Sequence, residues 1–207
     1  MKKSLIHTFE EEEWGVGSKT ITLFNEQFAT MQDAKYCLSI HSGTSAIWIC
    51  LKAAGIEAGD EVILPSYTFI ATATAVVLAN AVPVFADIDK KTANLDPTCV
   101  EKLITKKTKA IIPVHTAGAP ANMKAFLDIS KKYNIPIIED AAQGHGSTID
   151  NKKVGAIGLG GIFSFQTSKN MSSGEGGAIV SNDESFIDCL LYTSDAADEG
   201  LGVDLGG

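Results

Sequence analysis

Apolar residues recur along the chain in two rhythms. From Thr20 to Gln32 they fall at Ile21, Phe24, Phe28 and Met31, spacings of three and four that predict an amphipathic helix. Tyr36 to Ile40 reads as a short strand. In HSGTSAIWICLKAAG, the residues Ile47, Cys50, Leu51 and Ala54 share one helical face, and Gly55 closes the helix. Val62 to Leu64 is the next strand, followed by PSYTF and an alanine-rich helix to about Asn80. Val82 to Ala86 is a strand, 87–96 a loop, and Pro97 opens a helix to about Thr105. Lys109 to Val114 is again a strand. Ala121 to Tyr133 is a helix with Met123, Phe126 and Leu127 facing inward, and Ile135 to Glu139 is a strand that ends at Asp140. Ile162, Phe163 and Phe165 open a further strand, and Ala178 to Val180 forms the last. Strands that are almost continuously apolar and alternate with helices predict an α/β fold: a mostly parallel sheet with helices on both faces, three layers in all.

The two ends break the rhythm. Residues 1–18 are polar and contain glycine, which predicts an irregular arm before a domain at 19–188. From Cys189 onward, CLLYTSDAADEGLGVDLGG shows neither period, carries no basic residue and holds Asp195, Asp198, Glu199 and Asp204; without it the net charge falls from −8 to −4. Cys189 to Ser194 back-translate as TGT CTC TTA TAC ACA TCT, which resembles the transposase end used in sequencing libraries. Residues 189–207 are therefore expected to be adapter read-through, with the native chain cut after about Asp188. An independent clone carrying the same tail would refute this.

Composition narrows the functional classes. At 45% apolar and 20% charged residues the chain is an ordinary globular one, and its net charge of −8 argues against a nucleic-acid groove. The apolar run near the start is only Leu5–Ile6 before a block of glutamates, so no signal peptide is expected. No stretch approaches the roughly 20 apolar residues of a membrane span, and the expected location is cytoplasmic. Cys37, Cys50, Cys99 and Cys189 lack zinc spacing, as do His7, His41, His115 and His145, so no metal is expected; the first three cysteines read as buried free thiols.

The candidate chemistry collects where strands end, because open parallel sheets bind ligands outside the carboxyl ends of their strands. GIFSFQTSKNMSSGEGGAIV carries Lys169 in a tight loop between two apolar strands, where desolvation favours a neutral amine able to form a Schiff base with a carbonyl. Ser42, Gly43, Thr44 and Ser45 follow a strand and open a helix. Their N–H groups and hydroxyls suit a phosphate, although Ser and Thr there are equally ordinary N-caps. Phe69 in PSYTF can stack on a planar ligand or serve the core. Asp140 ends the strand IPIIED before Ala141 and Ala142, as a ligand-binding acid or a structural cap. Ser164 lies on the strand that leads to Lys169. The GLGG at 158–161 precedes a strand rather than following one, which discounts a nicotinamide site. An amine, an acid, an aromatic plate and a phosphate cradle on one sheet edge match the needs of pyridoxal 5'-phosphate.

The blocks SGTSAIWICLKAAGI, GDEVILPSYTFIATA, PVFADID, KAIIPVHTAG, IPIIEDAAQGHG and FSFQTSKN with SSGEGG resemble the DegT/DnrJ/EryC1/StrS family of sugar aminotransferases over roughly Trp14 to Asp188. The resemblance implies the large domain of a fold-type I pyridoxal-phosphate enzyme, with the C-terminal small domain absent. It implies that Lys169 is the catalytic, cofactor-bearing lysine, that Asp140 pairs with the pyridine nitrogen and that Phe69 stacks on the ring. Gln143 would lie beside the ring oxygen, and Gly43, Thr44, Ser45 and Ser164 would hold the phosphate. The implied reaction moves an amino group from glutamate or glutamine to a keto group on a nucleotide-linked sugar or a cyclitol, in a homodimer with shared sites. Gln166 resembles members acting on cyclitols or aminobenzoate precursors. The arm before Trp14 departs from the family, and the truncated chain is expected to bind cofactor poorly and turn over nothing. Two alternatives stand: a sugar dehydratase using the same cofactor, which typically lacks the lysine, and a non-catalytic sensor that keeps the fold.

Overall fold

The computed structural model describes residues 2–10 and 18–199. Its elements run α1 (Lys2–Glu10), α2 (Lys19–Met31), β1 (Tyr36–Ile40), α3 (Gly43–Ala53), β2 (Glu61–Pro65), α4 (Ile70–Leu78), β3 (Val82–Ala86), α5 (Pro97–Leu103) and β4 (Thr108–Ile111). After a single 3-10 turn at Thr116–Gly118 come α6 (Met123–Tyr133), β5 (Ile138–Asp140), a small hairpin of β6 (Thr148–Ile149) and β7 (Lys152–Lys153), β8 (Gly160–Ser164), β9 (Gly177–Ser181) and α7 (Glu184–Glu199).

Two ladders, ordered β3-β2-β4 and β1-β9-β8-β5, form one layer, because parallel bridges Ile111–Ile137 and Val114–Asp140 join β4 to β5. Pro113 interrupts the strand expected at 109–114: it has no N–H for the ladder, and only its carbonyl takes part, accepting from the Asp140 N–H at 2.9 Å. The pairs β2–β3, β2–β4 and β5–β8 are parallel, as the apolar runs predict. β9 runs antiparallel to both β8 and β1. The reason lies in its connection: 165–176 returns directly from β8 without a crossover helix, and a parallel neighbour would need one.

Side chains alternate across the layer. Val62, Leu64, Ala110, Ile112, Ile138, Ile162 and Ile179 pack with α3, α4 and α7 on one face. Ile63, Ile111 and Ile137 meet α5 and α6 on the other, and Phe163, Ala178 and Val180 meet α2 there. This is the expected three-layer α/β/α domain. Phe28 of α2 anchors its corner with edge-on contacts to Phe163 and Phe165 at 5.0 and 5.2 Å between ring centres, each worth about 0.5–1.5 kcal/mol beyond the area it buries.

Several expectations need correction. The arm expected to be irregular forms α1 over 2–10, a run without glycine or proline; residues 11–17 lie outside the described residues. The stretch after Cys189 continues α7 as far as Glu199. Leu190 is fully buried against the α3 face, and SDAADE contains no helix breaker before Gly200. In α6, Met123 and Phe126 are buried as expected, but Leu127 is exposed and Ile129 takes the third inward place. Cys50 is buried, whereas Cys37 and Cys99 are half-buried; burial pushes the Cys37 thiol up to about 12 and raises Cys50 further. Among the described residues, no helix is long and apolar enough to cross a membrane.

Candidate active site

The carboxyl ends of β2, β5 and β8 meet the first turns of α3 and α4 around a cavity of about 410 Å³. Gly43, Thr44, Phe69, Asp140, Gln143, Ser164 and Lys169 all line it. Ser45 does not. Its hydroxyl turns away to His41 Nε2, 2.6 Å distant, and accepts from the Ser42 hydroxyl at 3.0 Å, while its N–H donates to Ser42 Oγ at 3.2 Å.

Ser42 caps α3 with extended backbone (φ −159°, ψ 158°) and itself lines the cavity, so the serine that closes the helix also faces the site. The N-terminus of α3 and the end of β8 are in contact: a Cβ added to Gly43 would sit 2.9 Å from the Ser164 Cβ. Gly43 therefore lets backbone N–H groups and the Ser164 hydroxyl share one cradle. Ser164 Oγ also lies 3.4 Å from the Gln166 N–H, which donates to it.

Asp140 is 6% exposed. Its Oδ1 accepts from the Ala142 N–H at 3.1 Å and its Oδ2 from the Thr72 hydroxyl at 2.8 Å. Burial raises its carboxyl above the usual aspartate range. The Thr72 and Ala142 donors oppose that rise, and the charge of Lys169 opposes it more weakly. No cation lies within ion-pair distance of it among the described residues. Gln143 is fixed through its carbonyl end, where Oε1 accepts from the Ala117 N–H at 2.7 Å, leaving the amide NH₂ as its donor end. Ala117 adopts φ 52°, a left-handed conformation that costs a non-glycine residue about 1–2 kcal/mol.

Lys169 lies in the loop between β8 and β9, its N–H donating to Gln166 O at 2.9 Å. The side chain is half-buried, and Nζ stands 5.9 Å from the centre of the Phe69 ring, itself 68% exposed at the start of α4. The loop holds itself together: Gln166 Oε1 accepts from the Ser168 N–H and hydroxyl at 2.9 and 2.6 Å, and Gln166 Nε2 donates to Thr167 Oγ1 at 2.9 Å.

Thr68, Thr72, Ser168 and Glu175 line the cavity too and were missed from sequence. Thr72 had a signal, a polar residue in the first turn of an otherwise alanine- and valine-rich helix with Thr68 four residues before it. Glu175 and Ser168 had none, because only the folded 165–176 loop turns them toward the site.

Strand order 3-2-4-5-8-9-1 with β9 reversed, and a lysine sharing one rim cavity with a buried acid, are features of the large domain of fold-type I pyridoxal-phosphate enzymes. Within that class the chain belongs to the DegT/DnrJ/EryC1/StrS aminotransferase family, whose profile matches residues 2–196, so the match begins ahead of Trp14 and includes the N-terminal segment. It is 43% identical over 163 residues to an L-glutamine:2-deoxy-scyllo-inosose aminotransferase of Streptomyces lividus, covering 79% of this chain and 38% of that protein. Its fold superposes on 3-amino-5-hydroxybenzoic acid synthase with a TM-score of 0.88 at 37% identity, covering 92% of this chain and 50% of the other. NtdA of Bacillus subtilis, solved with bound cofactor PMP, gives 0.86 at 33% identity, over 91% of this chain and 42% of that one. The chain thus spans well under half the length of the curated relative and about half or less of these solved chains.

Proposed function

We propose that this chain is the cofactor-binding large domain of a pyridoxal-phosphate-dependent aminotransferase. The enzyme moves an amino group from glutamine or glutamate to the keto carbon of a cyclitol or a nucleotide-linked sugar. The observation that carries the reading is a single cavity lined by an amine, a buried carboxylate, an exposed aromatic ring and a helix N-terminus. The name of the Streptomyces relative supports glutamine as donor and a keto cyclitol as acceptor.

The residues present suit the cofactor. A buried carboxylate lacking a cationic partner among the described residues suits a protonated ring nitrogen. The free N–H groups in the first turn of α3 suit a phosphate dianion. When bound, pyridoxal phosphate supplies a reactive carbonyl carbon and an electron-withdrawing ring. Asp140 would accept the ring N–H and so keep that nitrogen protonated, and Phe69 would supply an aromatic surface for the ring. The Gln143 NH₂, left as a donor, would serve the ring oxygen. Ser42, Gly43, Thr44 and Ser164 would bind the phosphate, with the Ser45 N–H spent on the cap of α3. The Lys169 Nζ would hold the cofactor, and the same amine would move the proton at the substrate carbon.

The functional unit is a homodimer. Phe69, Ile70, Val77 and Leu78 form an apolar face on α4 with exposures of 68, 69, 57 and 56%, a surface that association would cover.

Adding pyridoxal phosphate should give a visible absorbance band, and borohydride should fix the cofactor on the peptide that contains Lys169. Lys169→Ala abolishes both. A band that survives in that variant, or reduction at another lysine, refutes the reading.

A further inference from the structure

Asp140 is held by groups from two different elements, Ala142 just beyond its own strand and Thr72 from α4. Thr72 is 1% exposed, and its hydroxyl lies 2.8 Å from that of Thr68, one turn earlier. A hydroxyl carries a single proton, and a carboxylate oxygen can only accept. The Thr72 proton therefore goes to Asp140 Oδ2, and Thr68 must donate to Thr72. The chain has one polarity, Thr68 to Thr72 to Asp140, and all three residues line the cavity. Packing alone gives no reason for a hydroxyl at position 72. Valine has nearly the same shape and matches the neighbouring Ala71, Ala73, Ala75 and Val76, and a buried hydroxyl is costly unless it is bonded.

We propose that Thr72, aligned by Thr68, is a positioning residue that keeps the Asp140 carboxylate anionic and orients it toward the cofactor's ring nitrogen. This deepens the cofactor reading above and rests on it. Burial favours the neutral acid, and a neutral acid cannot compensate a charged ring nitrogen. The Thr72 donor is the largest of the contributions that oppose this effect of burial. The titratable groups bearing on the carboxylate are His115, from the segment after β4, and Lys169, from the loop between β8 and β9. His115 directs its ring to Glu139 and the Ala121 N–H rather than to Asp140. Thr72 thus supplies the direct side-chain bond to the acid.

The test uses the full chain with ¹³C-carboxyl-labelled aspartate and pyridoxal phosphate labelled with ¹⁵N in the ring. Without cofactor, the Asp140 carboxyl of Thr72→Val titrates at higher pH than in wild type. Thr72→Ser, which keeps the donor, titrates like wild type, and Thr68→Val shifts in the same direction by less. With cofactor, the ring-nitrogen signal of Thr72→Val moves from the protonated toward the unprotonated position, and affinity falls about tenfold. Wild-type titration and a wild-type nitrogen signal in Thr72→Val overturn the proposal. Should that variant fail to fold, the direction of the Thr68→Val titration decides in its place, and no shift there overturns it. A wild-type chain that takes up no pyridoxal phosphate overturns the functional reading and with it the assignment toward the ring; the cofactor-free titration keeps that failure distinct from a wrong assignment of Thr72.

Discussion

Glu139 and Asp140 are consecutive on β5, so their side chains leave the sheet on opposite faces. Both are buried, at 0 and 6% exposure, yet their surroundings differ. The Glu139 carboxylate accepts from three backbone N–H groups, those of Gly155, Ile157 and Gly158, at 2.8, 2.8 and 2.7 Å. It also meets His115 Nε2 at 3.0 Å, and because His115 Nδ1 accepts from the Ala121 N–H, the ring proton sits on Nε2 and is donated to Glu139. Asp140 receives two donors and faces a cavity. One acid is saturated by the fold and ties the 155–158 loop to the segment after β4. The other is left with acceptor capacity on the side where a ligand enters. Burial does not separate a structural acid from a functional one; the count of donors and the face they leave open do.

The sharpest way to break this comparison is Glu139→Ala. It strands three backbone donors and the His115 N–H, each costing about 1–3 kcal/mol, so a loss of about 5 kcal/mol is expected in urea unfolding. That approaches the whole stability of an ordinary domain, and an unchanged urea midpoint would show that Glu139 is not the structural partner described.

Asp140→Asn should have the opposite profile. Pyridoxal-phosphate affinity falls about 100-fold, the size expected for losing a hydrogen bond to a charged group. The cofactor-free protein becomes more stable at neutral pH. The sign follows from linkage: burial raises the Asp140 carboxyl in the folded state, so its contribution is fully present below the unfolded aspartate value of about 3.9 and is lost as pH rises through the folded value. Thermal melts of the two proteins should converge in acid and separate above that window, with Asp140→Asn the higher. A variant less stable than wild type at pH 7 would contradict the reading.

Ser42 tests whether one residue can serve both purposes. Ser42→Ala should cost about 1 kcal/mol through loss of the α3 cap, and Ser42→Gly only a few tenths. Both should weaken cofactor binding alike, because both remove the hydroxyl that faces the cavity. Equal affinities in Ser42→Gly and wild type would assign Ser42 to the helix cap alone.

The periodicity of apolar residues was enough to locate the main helices and strands from 20 to 181, though not the β6–β7 hairpin or the start of α7, because a sheet covered on both faces demands nearly unbroken apolar strands and one-sided helices. It was also enough to bring Gly43, Thr44, Phe69, Asp140, Ser164 and Lys169 to one rim, since strand ends in such a sheet share an edge; Gln143 came only from the family resemblance. What sequence could not supply were the relations set by connection and contact. The direction of β9 depends on a direct return from β8. The inward face of α6 depends on which residue meets the sheet, so Ile129 rather than Leu127 is buried. The outward turn of Ser45 depends on competition between a cap and a cavity. The division of labour between Glu139 and Asp140 depends, Ala142 apart, on donors 16 to 68 positions away along the chain, from Gly155 on one side and Thr72 on the other. Residue types and local spacing determine which groups can do chemistry. Only the packed fold decides which of their hydrogen-bonding positions are already filled, because those partners are distant in sequence and are brought near by the layers.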